Sequence, residues 1–285
     1  MITDKETNKV FLSEVLKTDQ RFTNTCSEIT EILQAFQVNF EFLPKTRDIW
    51  ARDYMPVQVS DHTFVEFRYD PDYLQGEENR IYKTYPDIVC DALGLKTLKS
   101  DIVLDGGNVI KAKNCVILTD KVLVENESIY TPEEITRKLK QLFEVAKVVL
   151  IPWDKKNDFY GHADGMIRFI DENKVLLQDY FETYPQKFKE QLYHVLKENN
   201  LEWETLKFNV PRQDLNRNWA YLNFLQTKDI IVMPKLGIAE DEQAFEQMKS
   251  IFPDYAERCR IFQVDMSHVV EEGGALNCIT WTIKV

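Results

Sequence analysis

No run of apolar residues in this 285-residue chain approaches the length of a membrane span, which predicts no membrane partner. The five cysteines (Cys26, Cys90, Cys115, Cys259 and Cys278) include no Cys-x-x-Cys pair. That absence removes a common zinc spacing and suits reduced thiols in a cytoplasmic protein. The amino-terminal residues, Met1 to Glu6, are polar where a secretory leader would be apolar. Basic side chains are outnumbered: 35 Lys and Arg face 47 Asp and Glu, for a net charge of −12. The deficit argues against nucleic acid as a partner and is compatible with a cationic one. There is no Gly-x-Gly-x-x-Gly turn and no phosphate-binding loop, which weighs against a doubly wound nucleotide-binding sheet. Strand–helix pairs are too few for an eightfold barrel. No linker and no low-complexity stretch divides the chain, so residues 1–285 are expected to form a single domain.

What is present is a rhythm. Residues 10–36 read as helical, with Ser27 as a cap and Ile29, Ile32, Leu33 and Phe36 at helical spacing. A strand over 38–42 leads into a dense polar and aromatic loop over 46–56, followed by a hairpin over 57–67. A helix over 86–94, closed by Gly94, and a strand over 102–104 lead to Asp105-Gly106-Gly107-Asn108. After a hairpin over 109–118, Thr131-Pro132-Glu133-Glu134 opens a helix that runs to about residue 145. An apolar strand over 148–152 delivers the chain to Gly161-His162-Ala163-Asp164, and a hairpin follows. The final rounds are a helix over 186–198, strands near 205–210, 220–225 and 230–234, a helix over 240–252 and a strand over 260–264. That last strand leads to Gly273-Gly274 and then Cys278, at the mouth of an alternating run in which Cys278, Thr280 and Thr282 share a side.

Helix, strand, polar motif, hairpin: the order repeats, and the motifs centre on Asp53, Asp105, His162, Asn223 and Cys278, one roughly every 57 residues. Five α/β units, each offering one polar residue at a strand end, predict a closed radial or repeat arrangement whose strand ends converge on one site.

The five motifs supply a thiol, an imidazole and several carboxylates. A cysteine nucleophile must become a thiolate, and a neighbouring imidazole or a bound cation lowers its pKa from about 8.5. Carboxylates in the same pocket raise it. They make sense if the substrate is itself a cation. A guanidinium is planar and presents paired donors that match a carboxylate, and its charge would help to ionise the thiol.

These motifs resemble those of the guanidine-modifying, or pentein, superfamily, in particular the agmatine deiminase and bacterial-type peptidylarginine deiminase family. Trp50-Ala-Arg52-Asp53 resembles its Trp-x-Arg-Asp loop, and Asp105-Gly106-Gly107-Asn108 its (Glu/Asp)-Gly-Gly-Asn segment. Gly161-His162-Ala163-Asp164 resembles its Gly-His-x-Asp. Tyr221-Leu222-Asn223-Phe224 resembles its Tyr-x-Asn-Phe, and Gly273-Gly274 with Cys278-Ile279-Thr280 its closing segment. The matches run in the family's order from about residue 47 to 282. The resemblance implies a five-bladed, pseudo-symmetric α/β propeller of ββαβ-type repeats. It implies a hydrolase that converts a guanidino group to a ureido group with release of ammonia, agmatine being the favoured small substrate. On this carry-over Cys278 attacks the guanidinium carbon, His162 is general acid and base, Asp164 and Asp53 grip the guanidinium nitrogens, and Asp105 assists. Arg52, Trp50 and Asn223 would line or hold the rest of the substrate. No metal and no organic cofactor is implied, and a homo-oligomer is one possible assembly. Three segments depart from the family: Tyr54-Met55 after Arg52-Asp53, Asp105 where agmatine deiminases usually carry Glu, and Ala275-Leu276-Asn277 before the cysteine.

Other readings stay open at this point. Each motif residue taken alone has a bland role: a buried thiol, a surface histidine, an Arg52–Asp53 ion pair in a loop, a core tryptophan. Arg52 could be structural or could hold a substrate carboxylate. The same fold could pass the Cys278 adduct to an amine as an amidinotransferase, act on peptidyl-arginine, or bind a guanidinium without turnover. His162 and Asp164 could also belong to a metal-dependent hydrolase.

Overall fold

The computed structural model describes residues 1–156, 158–178 and 184–285. Its strands are β1 (Lys9–Ser13), β2 (Asn39–Leu43), β3 (Val57–Gln58), β4 (Phe64–Arg68), β5 (Leu98–Val103), β6 (Ile110–Lys111), β7 (Cys115–Thr119), β8 (Lys147–Ile151), β9 (Ile167–Asp171), β10 (Lys174–Gln178), β11 (Glu202–Leu206), β12 (Leu225–Gln226), β13 (Ile231–Lys235), β14 (Ile261–Asp265) and β15 (Thr280–Ile283). They form five three-stranded sheets: β15-β1-β2, β3-β4-β5, β6-β7-β8, β9-β10-β11 and β12-β13-β14. In each, the middle strand pairs antiparallel with the strand before it in this order and parallel with the strand after it.

A parallel partner needs a crossover, and a helix supplies it every time. The helices are Thr23–Ala35, Pro86–Leu93, Pro132–Phe143, Gln186–Glu198 and Asp241–Ile251. The third shows why such a segment is a helix. Thr131 Oγ1 accepts from the Glu134 amide while Glu134 Oε2 accepts from the Thr131 amide. Pro132 takes the first position, and Ile135, Leu139 and Phe143 are buried at four-residue spacing. Each such buried side chain contributes about 1.5–3 kcal/mol. The middle strand β7 is buried along its whole length on both faces, and its sequence is a largely apolar run, Cys115-Val116-Ile117-Leu118.

The polar motifs all fall between the third strand of one sheet and the first strand of the next. Four are single helical turns: Ala51–Tyr54, Gly106–Asn108, Ala163–Gly165 and Asn218–Leu222. The fifth is the turn over residues 276–279 that precedes β15. The repeated order expected from the sequence is therefore present, as an α/β fold of five small mixed sheets.

Three local expectations change. Residues 9–13 are a strand rather than the start of a helix; β1 lies between β15 and β2, so Val10 and Phe11 are buried on opposite faces. The helix begins at Thr23, and Ser27 sits inside it, its hydroxyl donating to Thr23 O. The apolar run over 220–225 is mostly a 3₁₀ turn, with only Leu225–Gln226 in a strand, and β11 ends at Leu206. Among the described residues no helix is long and apolar enough to cross a membrane.

Candidate active site

Cys278 is held by its backbone. Its amide donates to Asn223 Oδ1 at 3.2 Å, its carbonyl accepts from the Arg52 amide at 2.9 Å, and the preceding Asn277 amide donates to Asn223 O at 3.0 Å. Two motifs distant in the chain thus fix the Cys278 turn. The glycines ahead of it are needed for different reasons. Gly273 has φ +94°, a backbone that side chains rarely adopt. A Cβ on Gly274 would lie 2.1 Å from Trp50 Cζ3, so only glycine lets the indole lie against this turn.

The thiol is nearly enclosed, at 5% exposure. It donates to Asp164 Oδ2 at 3.5 Å, and the same oxygen accepts from Asn277 Nδ2 at 2.7 Å. Burial pushes the thiol well above its ordinary pKa, and the carboxylates of Asp164 and Asp53 push it further. Without a ligand, Cys278 is therefore a neutral thiol.

His162 lies between two carboxylates, Nε2 at 3.0 Å from Asp105 Oδ2 and Nδ1 at 3.6 Å from Asp53 Oδ1. Burial opposes its charge, yet Asp53, Asp105 and Asp164 outweigh it and push the imidazole up to about 10. It is an imidazolium at neutral pH. Burial pushes the Asp53 carboxyl up to about 7; His162 pulls against this, and Asp105 and Asp164 add to it. Asp53 Oδ1 also accepts from the Gly107 amide at 2.9 Å. Tyr73 donates its hydroxyl to Asp105 Oδ2 at 2.7 Å, while the buried Oδ1 of Asp105 has no donor among the described residues. The group holds three carboxyls and one imidazolium, so it has room for a further positive charge.

These residues border a cavity of about 450 Å³ lined by Cys278, His162, Asp53 and Trp50, by the aromatic rings of Phe22, Tyr69, Tyr73, Tyr82, Phe159 and Tyr160, and by Asp19, Arg21, Arg47, Asp48 and Glu272. A neutral thiol, a charged imidazolium and buried carboxyl groups share one enclosure. Among the described residues no three His, Cys, Asp or Glu side chains group so as to hold a metal ion.

The structure brings together most of the residues expected from the sequence and separates two. Cys278, His162, Asp53 and Trp50 line the cavity, and Asp164 and Asp105 contact its reacting groups directly. Asn223 is fully buried and anchors the Cys278 turn. Arg52 does not line the cavity: its Nε donates to Asn277 O at 3.3 Å, and it adjoins a buried group of Asp4, Lys111 and Arg168. The sequence reading missed Tyr73 and Asn277. Tyr73 lies in a connection without any motif. Asn277 was visible only as a departure beside the cysteine.

Solved agmatine deiminases share this fold. The C. jejuni enzyme matches with a TM-score of 0.75 at 18% identity, over 99% of this chain and 94% of that one. The Enterococcus faecalis enzyme matches with a TM-score of 0.71 at 21% identity, over 99% and 94%. Within that class of fold the profile of the Porphyromonas-type peptidyl-arginine deiminase family covers residues 3–283, and the chain belongs to this family. A curated relative from Mycoplasma mycoides subsp. mycoides, provisionally named an agmatine deiminase, is 23% identical over 225 residues, covering 67% of this chain. The chain spans 60% of that relative's length.

Proposed function

We propose that this chain is a hydrolase that converts the guanidino group of a small cationic compound to a ureido group and releases ammonia. The observation that carries the reading is the meeting of the Cys278 thiol, the His162 imidazolium and the carboxyls of Asp53, Asp105 and Asp164, from four separate loops, around one cavity. Family membership and the names of the relatives support it.

The chemistry follows from charge. An entering guanidinium hydrogen-bonds to Asp164 and Asp53, fills the unpaired Oδ1 of Asp105, and releases Asp164 from the thiol. Its positive charge offsets the carboxylates that held the thiol neutral, so the thiol proton leaves to solvent or to a carboxylate. The thiolate sulfur bonds to the guanidinium carbon. His162 gives its proton to one departing nitrogen, which leaves as ammonia, and an amidino thioether remains on Cys278. Neutral His162 then takes a proton from water as its oxygen bonds to the same carbon. The carbon–sulfur bond breaks, the remaining hydroxyl proton passes to the released sulfur or to solvent as the C=O forms, and departure of the ureido product restores the neutral thiol.

In this reading residues 1–285 form one catalytic domain whose five sheets ring the site as blades of an α/β propeller, acting in the cytoplasm without a cofactor. Cys278→Ala abolishes ammonia release from every guanidino compound while circular dichroism and the melting temperature stay near wild type. Undiminished release by Cys278→Ala would sink the proposal. A guanidinylated amine formed without ammonia would identify the amidinotransferase alternative instead.

A further inference from the structure

Arg52 is a charge inside the protein without a counter-charge of its own. It is 8% exposed, and a guanidinium keeps its proton at any pH at which the chain is folded. Among the described residues it makes no ion pair, and its one side-chain hydrogen bond runs from Nε to Asn277 O at 3.3 Å. The N–H donors on its two terminal nitrogens find no acceptor among those residues. Burying a charge in this way is costly unless something pairs with it.

The carboxylates nearby are already taken. Asp4 is shared, its Oδ1 lying 2.9 Å from Lys111 Nζ and its Oδ2 2.9 Å from Arg168 Nη2. Asp164 also acts on Arg168, but its Oδ2 accepts from Asn277 and from the Cys278 thiol. Three buried cations, Arg52, Lys111 and Arg168, therefore meet two carboxylates. The excess bears on Lys111: burial pushes its pKa down, Asp4 pulls it back, and Arg52 and Arg168 press it down further.

Arg52 and Lys111 both line a second, small cavity of about 10 Å³, which shares no residue with the one bordered by Cys278. Among the described residues no Asp or Glu lines it. Thr282 does, and its buried Oγ1 has no partner among them. Gln58 lines it too, but Lys284 engages its amide at both ends, accepting from Nε2 at 2.9 Å and donating to Oε1 at 2.7 Å. Two cations and a hydroxyl remain for a ligand. We infer that this cavity is an anion site and that it takes a monatomic anion of the size of chloride. The volume admits one particle about as large as a water molecule, which shuts out phosphate, sulfate and carboxylates. A water there would meet the donors and leave the excess charge unbalanced. The ion lies behind the reactive turn, because the Arg52 amide donates to Cys278 O at 2.9 Å. The site stands whether or not the chain is a deiminase.

Protein dialysed exhaustively into sodium gluconate is titrated with sodium chloride at constant ionic strength, and the melting temperature is followed. It is expected to rise and to saturate, as binding to the folded state alone requires. Crystals grown in sodium bromide are expected to show one anomalous scatterer between Arg52 and Lys111. Thr282→Val keeps the shape of the side chain and removes one donor. It is expected to raise the half-saturating chloride concentration about tenfold, the weight of a hydrogen bond to a charged acceptor. Lys111→Met is expected to abolish the response; Lys111 also holds Asp4, so Thr282→Val decides the matter if Lys111→Met does not fold. A melting temperature indifferent to the exchange of gluconate for chloride overturns the inference. So does a chloride response unchanged in Thr282→Val, or a bromide crystal with no anomalous density in this cavity.

Discussion

A methyl group on Gly107 would lie 2.6 Å from Asp53 Oδ1 and 2.8 Å from His162 Nδ1, so these two groups meet across a residue that has no side chain to part them. Such closeness makes their titration a joint property. Asp53 is raised to about 7 and His162 to about 10, and between these values the cluster holds a charged carboxylate beside a charged imidazolium. Below about 7 the cluster takes up a proton; on the proposed mechanism Asp53 would then no longer draw the guanidinium, and kcat/KM is expected to fall about tenfold per pH unit. Above about 10 His162 would lack the proton that mechanism requires, and the rate is expected to fall again. A pH profile of kcat/KM checks this, and Asp53→Asn should remove the acid limb while costing about 100-fold or more in rate. A flat profile from pH 5 to 8 would contradict the assignment. The glycine was legible as part of a motif; its reason, the contact of two side chains above it, was not, because Asp53 and His162 are far apart in sequence.

At the next scale, the single turn Asp4–Glu6 clamps two sheets. Asp4 Oδ1 lies 2.9 Å from Lys111 in β6, and Asp4 Oδ2 lies 2.9 Å from Arg168 in β9. Lys111 and Arg168 are themselves buried, at 7% and 3% side-chain exposure, and Arg52 adds a third cation nearby. Removing the one carboxylate leaves like charges facing each other out of water. Asp4→Asn is expected to cost about 3 kcal/mol, read from denaturant unfolding. Burial works to raise the Asp4 carboxyl, but Lys111, Arg168 and Arg52 outweigh it and hold it well below the usual range. Its stabilisation is therefore present above about pH 4 and is lost as the pH falls through the folded value. Nothing in the polar sequence Thr3-Asp4-Lys5-Glu6 announces this clamp, since its partners are distant strands. Elements with local signals were legible: the Thr131–Glu134 cap, Gly94 in a left-handed turn, the helices between sheets. Elements whose state depends on neighbours were not. A run such as Val10-Phe11-Leu12 reads alike in a buried strand and in a buried helix, and pairing on both sides decides it.

Across the whole molecule, β1 does what no other middle strand does: it takes its antiparallel partner from the far end of the sequence. Leu12 sits opposite Thr280, and the Asn8 side chain exchanges hydrogen bonds with the Val285 backbone, 277 positions away. The turn that carries Cys278 leads directly into that partner strand. Deleting residues 1–13 is therefore expected to abolish both activity and the cooperative melting transition, although no residue of the cavity is removed; a wild-type melt would refute this. The fivefold order of strands and motifs was legible because it recurs, whereas this closing pair was not, because it occurs once and β1 was read as helix.

That same pairing sets a clock during synthesis. A ribosome adding about 5–20 residues per second leaves β1 with one open edge for roughly 15–55 s before β15 exists. Until then one edge of β1 stays bare, and the turn that carries Cys278 lacks the strand into which it leads. On the proposed function, a chain that stalls before Cys278 has no nucleophile and is expected to release no ammonia from a guanidino compound.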